Sequence, residues 1–299
     1  MDIRGIFPAL VTPFGADEAV SLAEVKENIE RYNATRVSGY VVLGSTGESV
    51  MLSRDEADSV LVAARETASA EKVLIAGTGA ESTAETIART KRAAGIGYPF
   101  ALVKTPYYYK PVYRSEVYLR HYRAVADASP IPILLYSVPQ FTGITLETPE
   151  VLALATHPNI VGIKDSSGNV QRVGEIVAGA DGRFTVLTGG AAVIYPAFVV
   201  GARGAVLALA AALPEKCAEV YQLAQRGEHE QARQLQLLLA RASKIVVGEN
   251  GIAGVKYAMD LRGYRGGLAR LPILPLTEER KRAVADVVAA LHPVEVGAR

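Results

Sequence analysis

Short apolar runs punctuate the chain, each followed by a turn and then by a stretch of helix-like spacing. They are GIFPAL (5–10), GYVVLG (39–44), KVLIAG (72–77), FALVKT (100–105), PILLYS (132–137), NIVGIK (159–164), FTVLTG (184–189) and GAVLAL (204–209). Their Val, Ile and Leu residues do not alternate cleanly with polar ones. A strand wetted on one face alternates, whereas a strand covered on both faces does not. The runs therefore predict strands of a parallel sheet buried beneath helices.

The intervening segments carry helix signals. LAEVKENIERYNAT (22–35) follows Ser21, with Glu24 three residues on, and SRDEADSVLVAARETA (53–68) sets Glu56 three residues after Ser53. A hydroxyl and a carboxylate at that spacing can satisfy two orphan amides at a helix start. STAETIARTKRAAGIG (82–97) ends in glycines, which accept the left-handed conformation that closes a helix. Strand and helix alternating eight times predict a (β/α)8 TIM barrel over residues 1–225. Residues 226–299 show helical patterns and no further strand. They are expected to form a C-terminal helical region and not a second catalytic domain. The βα unit is the only repeat.

Composition narrows the function classes. A chain of 299 residues that is 49% hydrophobic can fill one large barrel. The net charge is +1, without a basic block or acidic tail, so neither nucleic acid nor an anionic membrane is implied as a partner. One cysteine, Cys217, excludes an internal disulfide framework and a cysteine-rich zinc site and fits a reduced, cytoplasmic setting. The opening MDIRGIFPALVTPF is broken by Pro8 and Pro13, and it lacks the apolar length of a signal peptide or a spanning helix.

In such a barrel, chemistry gathers at the C-terminal ends of the strands. The polar residues predicted there are Ser45, Thr46 and Glu48, then Thr105 with Tyr107, Tyr108 and Tyr109, then Tyr136 and Ser137, then Lys164 and Asp165. Lys164 ends an apolar run. Partial desolvation there disfavours its charged form, and a neutral amine can attack a carbonyl to form a Schiff base. The competing reading pairs it with Asp165 or lets it reach out to the rim. Tyr136 ends the neighbouring strand at an equivalent height, where a phenol can shuttle protons; alternatively it packs against a loop. GSTGES (44–49) predicts a tight turn with exposed amides suited to a carboxylate, although many βα turns look alike. No Gly-Lys-Ser/Thr follows, so it is no P-loop. TPYYYKP (105–111) suggests aromatic packing, often found at subunit interfaces. His121, His157, His229 and His292 fall on helices or loops without metal-ligand spacing, which counts against a metal-dependent aldolase.

GSTGES, TPYYY, YSVPQFTG, GIKDSSG and LPILPL (271–276) occur in this order. By these motifs, and over almost its whole length, the chain resembles the dihydrodipicolinate synthase / N-acetylneuraminate lyase family of pyruvate-dependent class I aldolases. The resemblance implies a (β/α)8 barrel with C-terminal helices, assembled as a homotetramer of two tight dimers. It implies pyruvate and an aldehyde as substrates, with no metal or organic cofactor. Residue by residue, it implies Lys164 as the Schiff-base residue and Tyr136 as proton donor and acceptor. Ser45 and Thr46 would hold the 2-oxo acid carboxylate, with the Ser45 hydroxyl also in a proton relay. Tyr108 would complete that relay in a neighbouring subunit, and a main-chain oxygen near Val206 would touch pyruvate.

Two departures bear on the substrate. The family's synthases usually carry an arginine two residues after the YxVP proline, whereas Pro139 is followed here by Gln140 and Phe141. Its sialic acid lyases usually carry acidic residues after strand 7, where TGGAAVIYP (188–196) is small and apolar. HPNIVGIKDSSGNVQR (157–172) and GIAGVKYAMDLRGYRGG (251–267) are similar to the 4-hydroxy-2-oxoglutarate aldolase subgroup. That likeness implies cleavage of 4-hydroxy-2-oxoglutarate to pyruvate and glyoxylate, with no cation yet placed for a distal carboxylate. The alternatives are dihydrodipicolinate synthesis from pyruvate and aspartate semialdehyde, and a non-catalytic 2-oxo acid sensor. A sensor would need only the carboxylate cradle.

Overall fold

A computed structural model describes residues 3–292. Each predicted run contains a strand: β1 (Gly5–Pro8), β2 (Gly39–Val42), β3 (Val73–Gly77), β4 (Phe100–Lys104), β5 (Ile133–Ser137), β6 (Ile160–Asp165), β7 (Thr185–Thr188) and β8 (Gly204–Leu207). All pair in parallel in the order β1-β8-β7-β6-β5-β4-β3-β2. Two backbone bonds bring β1 round to β2: Ser38 N–H to Ile6 O at 2.8 Å and Leu10 N–H to Val41 O at 2.9 Å. The fold is the expected TIM barrel.

Both faces of the strands are dry, which explains the absent alternation. Phe7, Val41, Ile75, Leu102, Leu134 and Val206 pack together inside the barrel. Ala101, Val103, Ile133, Leu135, Ile163 and Val186 pack outward against helices. Below Lys164 the inward position on β6 is Gly162, where a Cβ would fall 2.4 Å from Thr185 O and 3.2 Å from the Leu134 side chain. Strand β6 thus yields its bulk to a neighbour and keeps only the lysine above that floor.

Some predicted runs extend past the strands because the backbone leaves the sheet to build loops. Leu43 has φ +60°, and a 3-10 turn follows at Ser45–Gly47. Another 3-10 turn, Leu209–Ala211, follows β8. Helix starts behave individually. Ser53 and Glu56 cap the helix Arg54–Thr67 reciprocally, and Gly97 closes the helix Thr83–Ile96 at φ +102°. Ser21 makes no side-chain cap on the helix Leu22–Asn33; its N–H bonds Pro13 O at 3.0 Å.

Beyond residue 225 the described chain forms helices His229–Ala242, Gly251–Leu261 and Glu278–Leu291, with a π-helical segment Ser243–Glu249 between the first two. The last residues of the predicted helical tail, 293–299, fall outside the described residues. The tail shares the barrel's outer core: Val246, Val255 and Met259 cluster with Ile29 and Tyr32, and the rings of Tyr32 and Tyr264 stack at 4.7 Å. Among the described residues no helix is long and apolar enough to cross a membrane.

Candidate active site

Parallel register sets three inward side chains side by side. Tyr136 on β5 is level with Lys104 on β4 and with Lys164 on β6. Lys164 is 3% exposed, and its Nζ lies 4.1 Å from the centroid of the Tyr136 ring. Strand alternation turns the next residue, Asp165, to the opposite face. There its carboxylate receives Arg172 Nε at 2.8 Å and the Ser167 amide at 3.0 Å. The Lys164–Asp165 pair that competed in the sequence reading is therefore not formed. The amine faces the barrel interior, and no carboxylate of the described residues binds it.

The turn after β2 comes down onto the phenol. Ser45 Oγ is 3.4 Å from Tyr136 Oη, a long contact that either hydroxyl can donate. Ser45 and Thr46 open the 3-10 turn, so their amides have no acceptor within it. The turn is held from below, where Thr12 Oγ1 donates to Gly47 O at 2.7 Å. Thr46 is buried. Glu48 then takes the left-handed conformation, φ 53°, which swings its carboxylate inward.

What Glu48 meets is absent from the sequence reading. Lys256, on the tail helix Gly251–Leu261, places Nζ 2.6 Å from Glu48 Oε1 and also donates to Thr12 O at 2.8 Å. Burial pushes the Lys256 pKa down, against the pull of Glu48. The Arg270 amide donates to Glu48 Oε2 at 2.9 Å, and its guanidinium reaches Met51 O at 2.8 Å and Glu56 at 2.6 Å. That guanidinium holds the Glu56 carboxyl down at about 2. The tail thus braces the GSTGES loop through the Lys256 cation and the Arg270 amide. A signal existed in GVKYAM (254–259), a lone lysine in an otherwise apolar stretch.

A pocket of about 240 Å³ opens over this arrangement. Ser45, Lys104 and Tyr107 line it together with Val138 and Phe141, and the tail supplies Ile252 and Ile273. Lys104, also unremarked in the sequence, contacts Glu81 Oε1 at 3.4 Å, and burial pulls its pKa down. Glu81 Oε2 accepts the amides of Tyr107 at 2.9 Å and Tyr108 at 2.8 Å, anchoring the tyrosine loop. Thr105, fully buried, has no hydrogen-bond partner for Oγ1 among the described residues.

Two predicted site residues sit differently. Tyr108 is 70% exposed and packs edge-on to Tyr109 at 5.0 Å, with no hydrogen bond to Tyr136 or Ser45 of its own chain. Val206 is buried on β8. The carbonyls of Arg203 and Leu207 accept from Gly5 and Ala9 of β1, so alternation turns the Val206 carbonyl toward β7. Pairing with β7 ends at Thr188 and Ala205, one residue short of it. That carbonyl stands at the open end of the barrel, past the last rung.

Comparisons with known proteins bear on the family and the fold. Residues 2–291 match the sequence profile of the Dihydrodipicolinate synthetase family. A 4-hydroxy-tetrahydrodipicolinate synthase of Xanthomonas campestris is 39% identical over 290 residues, covering 97% of this chain and 95% of that protein. A mitochondrial protein of Emericella nidulans, named probable 4-hydroxy-2-oxoglutarate aldolase, is 35% identical over 283 residues, covering 93% and 91%. A dihydrodipicolinate synthase crystal structure from Bacillus anthracis superposes with a TM-score of 0.92 at 30% identity, covering 97% of this chain and 99% of that one. One from Acinetobacter baumannii, complexed with pyruvate, gives 0.92 at 32% identity with the same coverage.

Proposed function

The chain belongs to the dihydrodipicolinate synthetase family, and on that premise we propose that it cleaves 4-hydroxy-2-oxoglutarate into pyruvate and glyoxylate through an imine on Lys164. Membership makes it a carbon–carbon lyase of the pyruvate-dependent class I aldolase type. The observation that carries the reading is the Lys164 amine, buried at the barrel mouth, unpaired with any carboxylate of the described residues and 4.1 Å from the Tyr136 ring.

The chemistry closes on the residues present. The amine adds to C2 of the 2-oxo acid, Tyr136 protonates the departing hydroxyl, and loss of water gives an iminium. The phenolate then takes the proton of the 4-hydroxyl. The C3–C4 bond breaks, glyoxylate leaves as the aldehyde, and the electron pair settles in an enamine. Tyr136 returns the proton to C3, and hydrolysis frees pyruvate and the lysine. No metal or organic cofactor is needed. Ser45 and Thr46 hold the carboxylate with the amides of their turn, and the Ser45 hydroxyl passes protons to Tyr136. The Val206 carbonyl touches the bound pyruvate. Tyr108, too exposed to serve its own chain, completes the relay in a neighbouring subunit of a homotetramer built from two dimers. The enzyme works in the cytoplasm. A sensor would have no use for the lysine and phenol so placed.

A second reading is dihydrodipicolinate synthesis, favoured by the names of several relatives. It is disfavoured by Phe141, 65% exposed where the synthases usually carry arginine. Borohydride reduction in the presence of pyruvate should leave a stable adduct on Lys164. Pyruvate release from 4-hydroxy-2-oxoglutarate, run beside condensation with aspartate semialdehyde, decides the substrate; faster condensation would reverse the choice.

A further inference from the structure

The walls of the pocket beside Ser45 and Lys104 are mostly apolar, from Val50, Met51, Val138, Phe141, Ile252 and Ile273, with Ser45, Tyr107 and Thr142 among them. It has two charged residues among its described lining, Glu48 and Lys104. Glu48 is spent on Lys256 and the Arg270 amide. Lys104 is not spent. Its side chain is 13% exposed, and its carboxylate partner, Glu81, stands at a long 3.4 Å while also holding the tyrosine loop. An ammonium carries three donors. One is aimed at Glu81, the Tyr107 ring lies 4.9 Å away, and no further acceptor among the described residues meets the other two. A desolvated cation with unfilled donors favours an incoming anion. The β4–β5 register sets this cation beside Tyr136, on the side opposite Lys164.

We infer that Lys104 is a specificity-determining residue, the cation that receives the carboxylate of the aldehyde substrate. This rests on the aldolase reading above. Lys104 and Phe141 line the same pocket, so the positive charge has a different origin from that of an arginine after the YxVP proline. Among the described lining it is the only cation, so an acceptor with a small acidic head is selected over a neutral one.

The test compares condensation of pyruvate with glyoxylate and with glycolaldehyde, a neutral aldehyde of similar size, in the wild-type protein and in Lys104→Met, Lys104→Gln and Lys104→Arg. Loss of one charge-assisted bond should cut kcat/KM for glyoxylate about 10- to 100-fold relative to glycolaldehyde in the Met and Gln variants. The Arg variant should recover part of that preference. Equal losses for both aldehydes would overturn the inference and leave Lys104 as a pin for the tyrosine loop. The aldolase reading fails separately, and takes the inference with it, if the wild-type protein gives no borohydride-stable pyruvate adduct on Lys164.

Discussion

Glu48 and Lys256 face each other across 2.6 Å at a place where neither exposes more than about 2% of its surface. One belongs to the loop that carries Ser45 and Thr46, the other to a tail helix that begins beyond the barrel. Their contact makes the tail part of the site. Removing one partner leaves an uncompensated buried charge, which typically costs about 3–5 kcal/mol. Lys256→Met should therefore lower the unfolding free energy by that order and raise KM for pyruvate as the turn loosens. The double variant Glu48→Gln/Lys256→Met should regain much of the stability. Urea titrations of the three proteins check this, and equal midpoints for wild type and the single variant would refute it.

Lys164→Ala should abolish the borohydride-trapped pyruvate adduct while the circular dichroism spectrum stays native, because no core side chain is lost. Tyr136→Phe keeps the ring under the amine and removes only the hydroxyl. Turnover should fall about 10²–10⁴-fold, the usual reach of a proton-transfer group. Pre-steady-state trapping should show slower imine formation. An unchanged rate would mean that the proton travels by another route.

Tyr108 tests the contribution between subunits. With 70% of its surface exposed, Tyr108→Phe should cost little stability in an isolated chain. If its hydroxyl serves a neighbouring site, kcat should drop at least tenfold with the sedimentation coefficient unchanged. Full activity in an intact oligomer would remove Tyr108 from the relay.

His121 should set part of the acid limit. It is 5% exposed, its Nδ1 bonds Thr83 Oγ1 at 2.9 Å, and Nε2 has no hydrogen-bond partner among the described residues. Burial pulls its pKa down from 6.5 to about 4, with Glu81 opposing and Lys104 assisting. The unfolded chain therefore binds the extra proton first. This contribution to stability is complete above pH 6.5 and is lost as the pH falls toward about 4, by about 3 kcal/mol at most. Unfolding free energies measured between pH 7 and pH 4 should fall less steeply in His121→Asn. Parallel slopes would show that other groups carry the acid sensitivity.

Strand positions were legible because a strand buried on both faces must be apolar at nearly every position, whatever its neighbours. The heights of Lys164 and Tyr136 followed from the same period, since strand ends place their side chains at one mouth of the barrel. Where the runs ended was less legible, because the backbone leaves the sheet at residues such as Leu43, whose φ of +60° no propensity announces. Tertiary structure alone decided the pairings between charges. Asp165 went to Arg172 instead of its neighbour, Glu48 found Lys256 on the tail, and Lys104 came to stand beside Tyr136. Period and propensity act within a few residues of one chain segment. The partner of a buried charge depends on register and on helix packing between distant segments, and both are settled only when the barrel closes and the tail docks.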